Sequence, residues 1–159
     1  MAVSKATIVT DVWKLFYDRI KATVLTTTIT GNKVVTIKVY DSAFADRPFD
    51  DNTYYPVIVI NTPSVPVVRF TSGKDKVDGS ILIEVYTNQS ESADDFIAQV
   101  QDSIETYMPT LNQNGIHRVP NSELFGELQS DCIIRGSIKV HIRRLPIYFR
   151  YYYNRTINY

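Results

Sequence analysis

The chain has 159 residues, 17 Lys/Arg against 17 Asp/Glu, a net charge of zero and an apolar share of 44%. That length suits one domain over residues 1–159 with a core of its own, and the composition is that of an ordinary globular protein. No apolar run approaches the ~20 residues of a membrane span, no secretory leader is evident, and a single cysteine, Cys132, excludes an internal disulfide framework and fits a reducing compartment.

Residues 5–22 predict a helix, because Ile8, Val12, Leu15, Phe16 and Ile20 line up as one apolar stripe with Trp13 and Tyr17 beside it. Two β-rich runs follow, Thr23–Thr30 and Lys33–Tyr40, separated by Gly31-Asn32. Gly at the first central position signals a tight hairpin turn, and the many threonines suggest a hairpin that projects beyond the core. Residues 41–54 then form a long connection without periodicity, of the kind that is often functional. It carries Phe44, Asp46, Phe49, Asp50 and Asp51.

Tyr55–Asn61 is short and apolar throughout, as expected of a strand covered on both faces. Val67–Thr71 suits an edge strand after two prolines. Ser72–Ser80 has the composition of a charged loop tip, with Lys74 and Lys76. Ile81–Thr87 alternates as a half-covered strand. From Ser92 an amphipathic helix is expected, opened by a capping-box-like Ser92-Ala93-Asp94-Asp95 and stopped by Pro109. Pro120-Asn121-Ser122 suggests a short helix. Residues 133–153 predict one long strand bent at Pro146, or two strands. The order implies an α+β domain: a mainly antiparallel sheet with two helices on one face.

The residues carry little that points to catalysis. There is no GxSxG and no glycine-rich phosphate loop, and His117 and His141 lack metal-ligand spacing. Asp94-Asp95 and Asp50-Asp51 fit capping and solvation. Cys132 precedes an apolar pair and fits a buried, inert thiol; an extended strand holds it ~30 Å from His141. The expectation is a protein that is not an enzyme and uses no cofactor or metal.

Charge is more informative. Every acidic residue precedes Cys132, so residues 1–131 carry 11 basic and 17 acidic side chains, a net of −6, and residues 132–159 carry +6. Arg135, Ser137, Lys139, His141 and Arg143 alternate, which places them on one strand face opposite Ile134, Ile138, Val140 and Ile142. Arg144 adds a further cation beside them. This basic face admits three readings: a solvated sheet surface, an interface with acidic parts of a neighbour, or a nucleic-acid surface next to stacking aromatics (Tyr151, Tyr152, Tyr153).

The order of segments resembles the lambda-type tail terminator (tail completion) proteins of long-tailed bacteriophages. The likeness covers residues 5–150. It rests on TDVWKLFYDRI, a short hairpin, YYPVIVIN, a charged loop, the joint ILIEVYTNQSESADDFIAQ and the late strand GSIKVHIRRLPIYF. The resemblance implies a structural virion protein whose copies form a ring, typically a hexamer. Such a ring caps the tail tube, ends tail polymerisation and joins the head completion or connector protein. DNA passes through without sequence-specific binding, and no membrane is involved. The protein would sit at the head-proximal end of the tail, after assembly in the host cytoplasm. Arg135, Lys139, His141, Arg143 and Arg144 are then candidates for the subunit or tube interface. The candidate assembly-loop residues are Phe44, Asp46, Phe49, Asp50, Asp51, Lys74 and Lys76. Another head–tail connector or stopper protein, or a small nucleic-acid-binding module, is the alternative.

Overall fold

The computed structural model describes residues 8–23, 26–29, 33–36, 38–41, 55–65 and 76–152. Helix α1 spans Ile8–Ala22 and buries Val12, Leu15, Phe16 and Ile20, the stripe anticipated from their spacing. Strand β1 (Thr26–Ile29) pairs antiparallel with β2 (Lys33–Thr36) in a two-stranded sheet of its own, alongside helix α2 (Ser90–Gln113). The described pairing ends with Ile29 opposite Lys33. The expected Gly31-Asn32 turn, and with it the expected projection of the hairpin, lies outside the described residues.

The second β-rich run is two strands. Its first half is β2; its second half, β3 (Lys38–Asp41), leaves the hairpin and pairs in parallel with β4 (Val57–Ile60). Both halves have the same Val-rich texture, so pattern alone carries no sign of the division. All four residues of β4 are buried between β3 and β5 (Lys76–Thr87). Strand β5 begins well before Ile81, so Lys76–Ser80 belongs to a strand and not to a loop tip. Gly79 explains the appearance of a loop. A Cβ there would meet the Ser64 carbonyl at 3.0 Å and the Phe149 ring at 3.1 Å, a close approach that needs glycine.

Strand β5 passes through Asn88 and Gln89 directly into α2. The helix starts before Ser92, and Ser92 is not its cap. Its hydroxyl shares a 2.8 Å hydrogen bond with the Thr87 hydroxyl and donates to the Gln89 carbonyl at 2.9 Å. Nor does Pro109 end the helix. The proline is exposed while Met108 and Leu111 on either side are buried, so packing carries the helix through to Gln113. Asn114 then closes it, its Nδ2 donating to Thr110 O at 2.8 Å, and Gly115 takes φ 91°.

Strand β6 (Ile116–His117) is followed by a turn at residues 120–122, with Asn121 at φ 58°, where a short helix was expected. Asn tolerates that left-handed conformation and a helix cannot contain it. Strand β7 (Gln129–Arg135) and strand β8 (Ile138–Tyr152) form a hairpin. The six-stranded sheet runs β3-β4-β5-β8, with β6 and β7 both on the far side of β8, at its two ends. Among the described residues only the β3–β4 pair is parallel. The fold is α+β: a mainly antiparallel sheet whose one face is covered by α1 and α2.

The main core lies between helices and sheet. It joins Val12, Phe16 and Ile20 of α1, Phe96, Val100 and Ile104 of α2, and Ile81, Ile83, Val85, Leu145, Ile147, Phe149 and Tyr151 of the sheet. Trp13 Nε1 fastens α1 to β4 through the Ile60 carbonyl at 3.0 Å. A smaller cluster, Tyr55, Val57, Ile138, Val140 and Ile142, occupies one end of the opposite sheet face.

Candidate functional site: the β7–β8 hairpin

The late segment that sequence alone renders as one basic strand is folded back on itself. Arg135 pairs with Ile138 across Gly136 and Ser137, and Gly136 has φ 61°. Glycine with positive φ at the first central position, followed by a residue without it, is the pattern of a type II′ turn. The strand break is therefore here and not at Pro146, which β8 carries within its ladder opposite Leu82.

The fold-back changes which side chains share a face. Directly opposed residues of an antiparallel pair point the same way. Ser130, Cys132 and Ile134 of β7 thus lie with Arg143, His141 and Lys139 of β8, on the side of the sheet that carries the helices. Arg135 opposes Ile138 and points to the other face, with Asp131, Ile133 and Arg144. A single basic face containing Arg135, Lys139, His141, Arg143 and Arg144 does not form. Three further expectations fail for the same reason. Ile134 does not face the core but is 75% exposed, and Cys132 is exposed rather than buried. Cys132 also stands directly opposite His141 in the ladder instead of ~30 Å along an extended strand. No described helix reaches over this end of the hairpin, because α2 begins beside His141.

The arginines of β8 are engaged within the chain. Arg143 Nε meets Asp94 Oδ1 at 2.8 Å, and Arg144 bridges Glu84 at 3.0 Å and Asp131 at 3.4 Å. Arg150 grips Asp78 with two nitrogens, at 2.6 and 3.1 Å. The −6/+6 partition along the sequence is therefore interleaved in space, because β8 lies between β5 and β7, which supply Glu84, Asp78 and Asp131. The charges shape each other. The Arg150 hydrogen bond holds the Asp78 carboxyl below its ordinary pKa. Partial burial pulls Arg144 down, but its hydrogen bond and ion pair with Glu84 and its bond to Asp131 leave it above its ordinary value. Burial first, and then the hydrogen bond to Glu84, push the Tyr86 phenol up. Glu84 is held by three donors: Asn61 Nδ2 at 2.7 Å, the Tyr86 hydroxyl at 2.8 Å and Arg144.

On the helix side, Lys139 is exposed and His141 half-buried. Partial burial, followed by the charges of Lys139 and Arg143, holds the His141 imidazole below its ordinary pKa, which favours the neutral ring. An open depression of about 390 Å³ lies between His141 and Asn88, Gln89, Ser90 and Glu91 at the start of α2. Among the described residues no group of three or more His, Cys, Asp or Glu side chains could hold a metal ion. No described helix is long and apolar enough to cross a membrane. Of the candidate loop residues, Phe44, Asp46, Phe49, Asp50, Asp51 and Lys74 lie outside the described residues, and Lys76 is the first residue of β5.

What the structure brings together at this hairpin is one exposed face, Cys132, Ile134, Lys139 and His141, and one unpaired strand edge. Among the described residues no strand lies beyond β7. The Cys132 amide instead donates to its neighbour's side chain, Asp131 Oδ1, at 2.7 Å. An exposed edge and an exposed Ile are features of protein contact surfaces rather than of a catalytic cleft. No protein-family model matches this chain, and no curated protein matches it.

Proposed function

We propose that this chain is a structural assembly subunit of the tail-terminator kind. Copies of it close into a ring, six in the family's usual form, on the end of a bacteriophage tail tube. The ring stops tube growth and then meets the head completion or connector protein, with DNA passing through its hole. The observation that carries this reading is the form taken by the segment on which the resemblance rests. Residues 81–99 run as the central strand β5 straight into α2, and the joint is locked by the Thr87–Ser92–Gln89 hydrogen bonds. The uneven charge along the chain lends the ring no support, since Arg143, Arg144 and Arg150 are satisfied within the subunit.

The test is electron microscopy of the purified protein, alone and added to tail tubes. Rings with a central hole, seated on tube ends that no longer elongate, are the expected outcome. A subunit that leaves tubes uncapped and growing overturns the reading. Strongly salt-dependent DNA binding by such a subunit would favour a nucleic-acid-binding module instead.

A further inference from the structure

We infer that β7 is a self-pairing edge, on which a second copy of this chain adds its own β7 antiparallel across a two-fold axis at Ile133. The inference stands on the geometry of this edge and does not depend on the ring.

The two-residue turn makes Arg135 and Ile138 a hydrogen-bonded pair, and in an antiparallel ladder such pairs alternate. Asp131, Ile133 and Arg135 therefore bond to β8, while Ser130, Cys132 and Ile134 turn their N–H and C=O groups outward. The Cys132 amide agrees with this phase, since it bonds to Asp131 Oδ1 instead of a strand. Outward residues can pair only with outward residues of an incoming antiparallel strand. That parity restricts two-fold pairing to registers centred on a residue.

Charge selects among these registers. Centred on Ile133, the pairing sets Asp131 opposite Arg135 of the second copy, and Arg135 opposite the second copy's Asp131. Both pairs lie on the face that carries Ile133. On the other face Cys132 meets Ile134 of the second copy, which covers the exposed apolar side chain. Centred on Cys132, the pairing would oppose Asp131 to Ile133 and Arg135 to Gln129; centred on Ile134, it would oppose Asp131 to Ser137. Only the Ile133 register matches both charges. On pairing, the Cys132 amide passes to the second copy's Ile134 carbonyl, and Asp131 Oδ1 is released to receive the incoming guanidinium. Such a contact is isologous, the same patch on both copies.

The experiment uses the full chain. Sedimentation should show a reversible dimer. Asp131→Arg and Arg135→Asp should each weaken it about ten-fold or more, as expected for loss of close interfacial charge pairs, and the double exchange should restore it. Restoration separates pairing from the loss of the Arg144 contact, which the double variant also lacks. Ile134→Cys should cross-link two copies on mild oxidation, through a disulfide from Cys132 of one copy to the introduced thiol of the other. Paired Cα atoms there stand about 5.5 Å apart, within disulfide reach. A chain that stays monomeric, a dimer indifferent to the exchanges, or a Cys132–Cys132 link in the parent protein overturns the pairing. Rings on tube ends whose Ile134→Cys subunits do not cross-link would overturn it too, and leave the proposed function standing.

Discussion

The two halves of β8 bury opposite faces. From Ile138 to Ile142 the even-numbered residues are covered; from Leu145 to Tyr151 the odd-numbered ones are. The strand itself does not slip, since its ladder with β5 runs without interruption from His141 to Tyr152. What changes is the cover. Under α1 and α2 the helix-side face is dry. Beyond the start of α2 that face opens, and Ile138, Val140 and Ile142 pack with Tyr55 and Val57 on the reverse. Arg143 and Arg144 stand at the crossover, one on each face, and each finds a carboxylate there. Burial phase along a strand is thus a property of neighbouring layers and not of the strand.

This contrast predicts unequal costs for truncation. Phe149 is 1% exposed and touches the Phe16 and Tyr151 rings, at centroid distances of 5.9 and 6.2 Å. Phe149→Ala should cost about 3–5 kcal/mol, the usual range for an aromatic deep in a core, measured by chemical denaturation. It should loosen both helices. A loss below 1 kcal/mol would mean that the helix-side core does not depend on this half of the strand.

Ile142→Ala removes a side chain that is just as buried, 2% exposed, but from the smaller cluster. The expected cost is about 2–4 kcal/mol. Hydrogen exchange should rise mainly in β7 and the first half of β8, while α1 and α2 keep their protection. Exchange rising equally everywhere would join the two clusters into one cooperative unit and erase the distinction.

Much of this architecture was legible from the residues. The stripes of α1 and α2, the fully covered β4 and the alternation of Ile81–Thr87 follow from periods of 3.6 and 2 that packing respects. The hairpin was not legible, for an identifiable reason. Ile133, Ile134, Ile138, Val140 and Ile142 continue an apolar texture across Gly136-Ser137, and the conspicuous Pro146 draws attention to the wrong break. A Gly-Ser pair between β-rich runs was the available signal; it outranks a proline that an antiparallel ladder can absorb. The misplaced turn then reversed the faces of Arg135 and Ile134 and hid the exposure of Cys132. Spatial pairing of Arg144 with Glu84 was invisible in principle, because it depends on register between strands 60 residues apart.

The crossover also predicts a pH effect. Tyr86 lies on the reverse face and donates to Glu84, and its pKa stands above the ordinary phenol value. A group with a raised folded pKa contributes stability that is full below the unfolded value and is lost as pH rises toward the folded one. The parent protein should therefore lose stability above about pH 10, more steeply than Tyr86→Phe. At pH 7 the variant should be weaker by about 1–2 kcal/mol, through the lost bond to a carboxylate. Parallel profiles for the two proteins would remove Tyr86 from the alkaline transition.

The smallest effect belongs to the open face. Lys139 stands between the buried Ile138 and Val140, yet points to the helix side of the sheet, beyond the start of α2, where no described helix covers it. Lys139→Gln should change stability by no more than ~0.5 kcal/mol, as for exposed substitutions generally. It should also relieve His141, whose imidazole is held low by burial and then by the Lys139 and Arg143 charges. Removing one of those charges should let the His141 pKa rise, which NMR titration reads directly, while the melting curve stays in place. A melting curve shifted by several degrees would mean that this face is covered in the free subunit. An unmoved imidazole would mean that Lys139 turns away from His141, and that the two do not share the open face as the register of β7 and β8 requires.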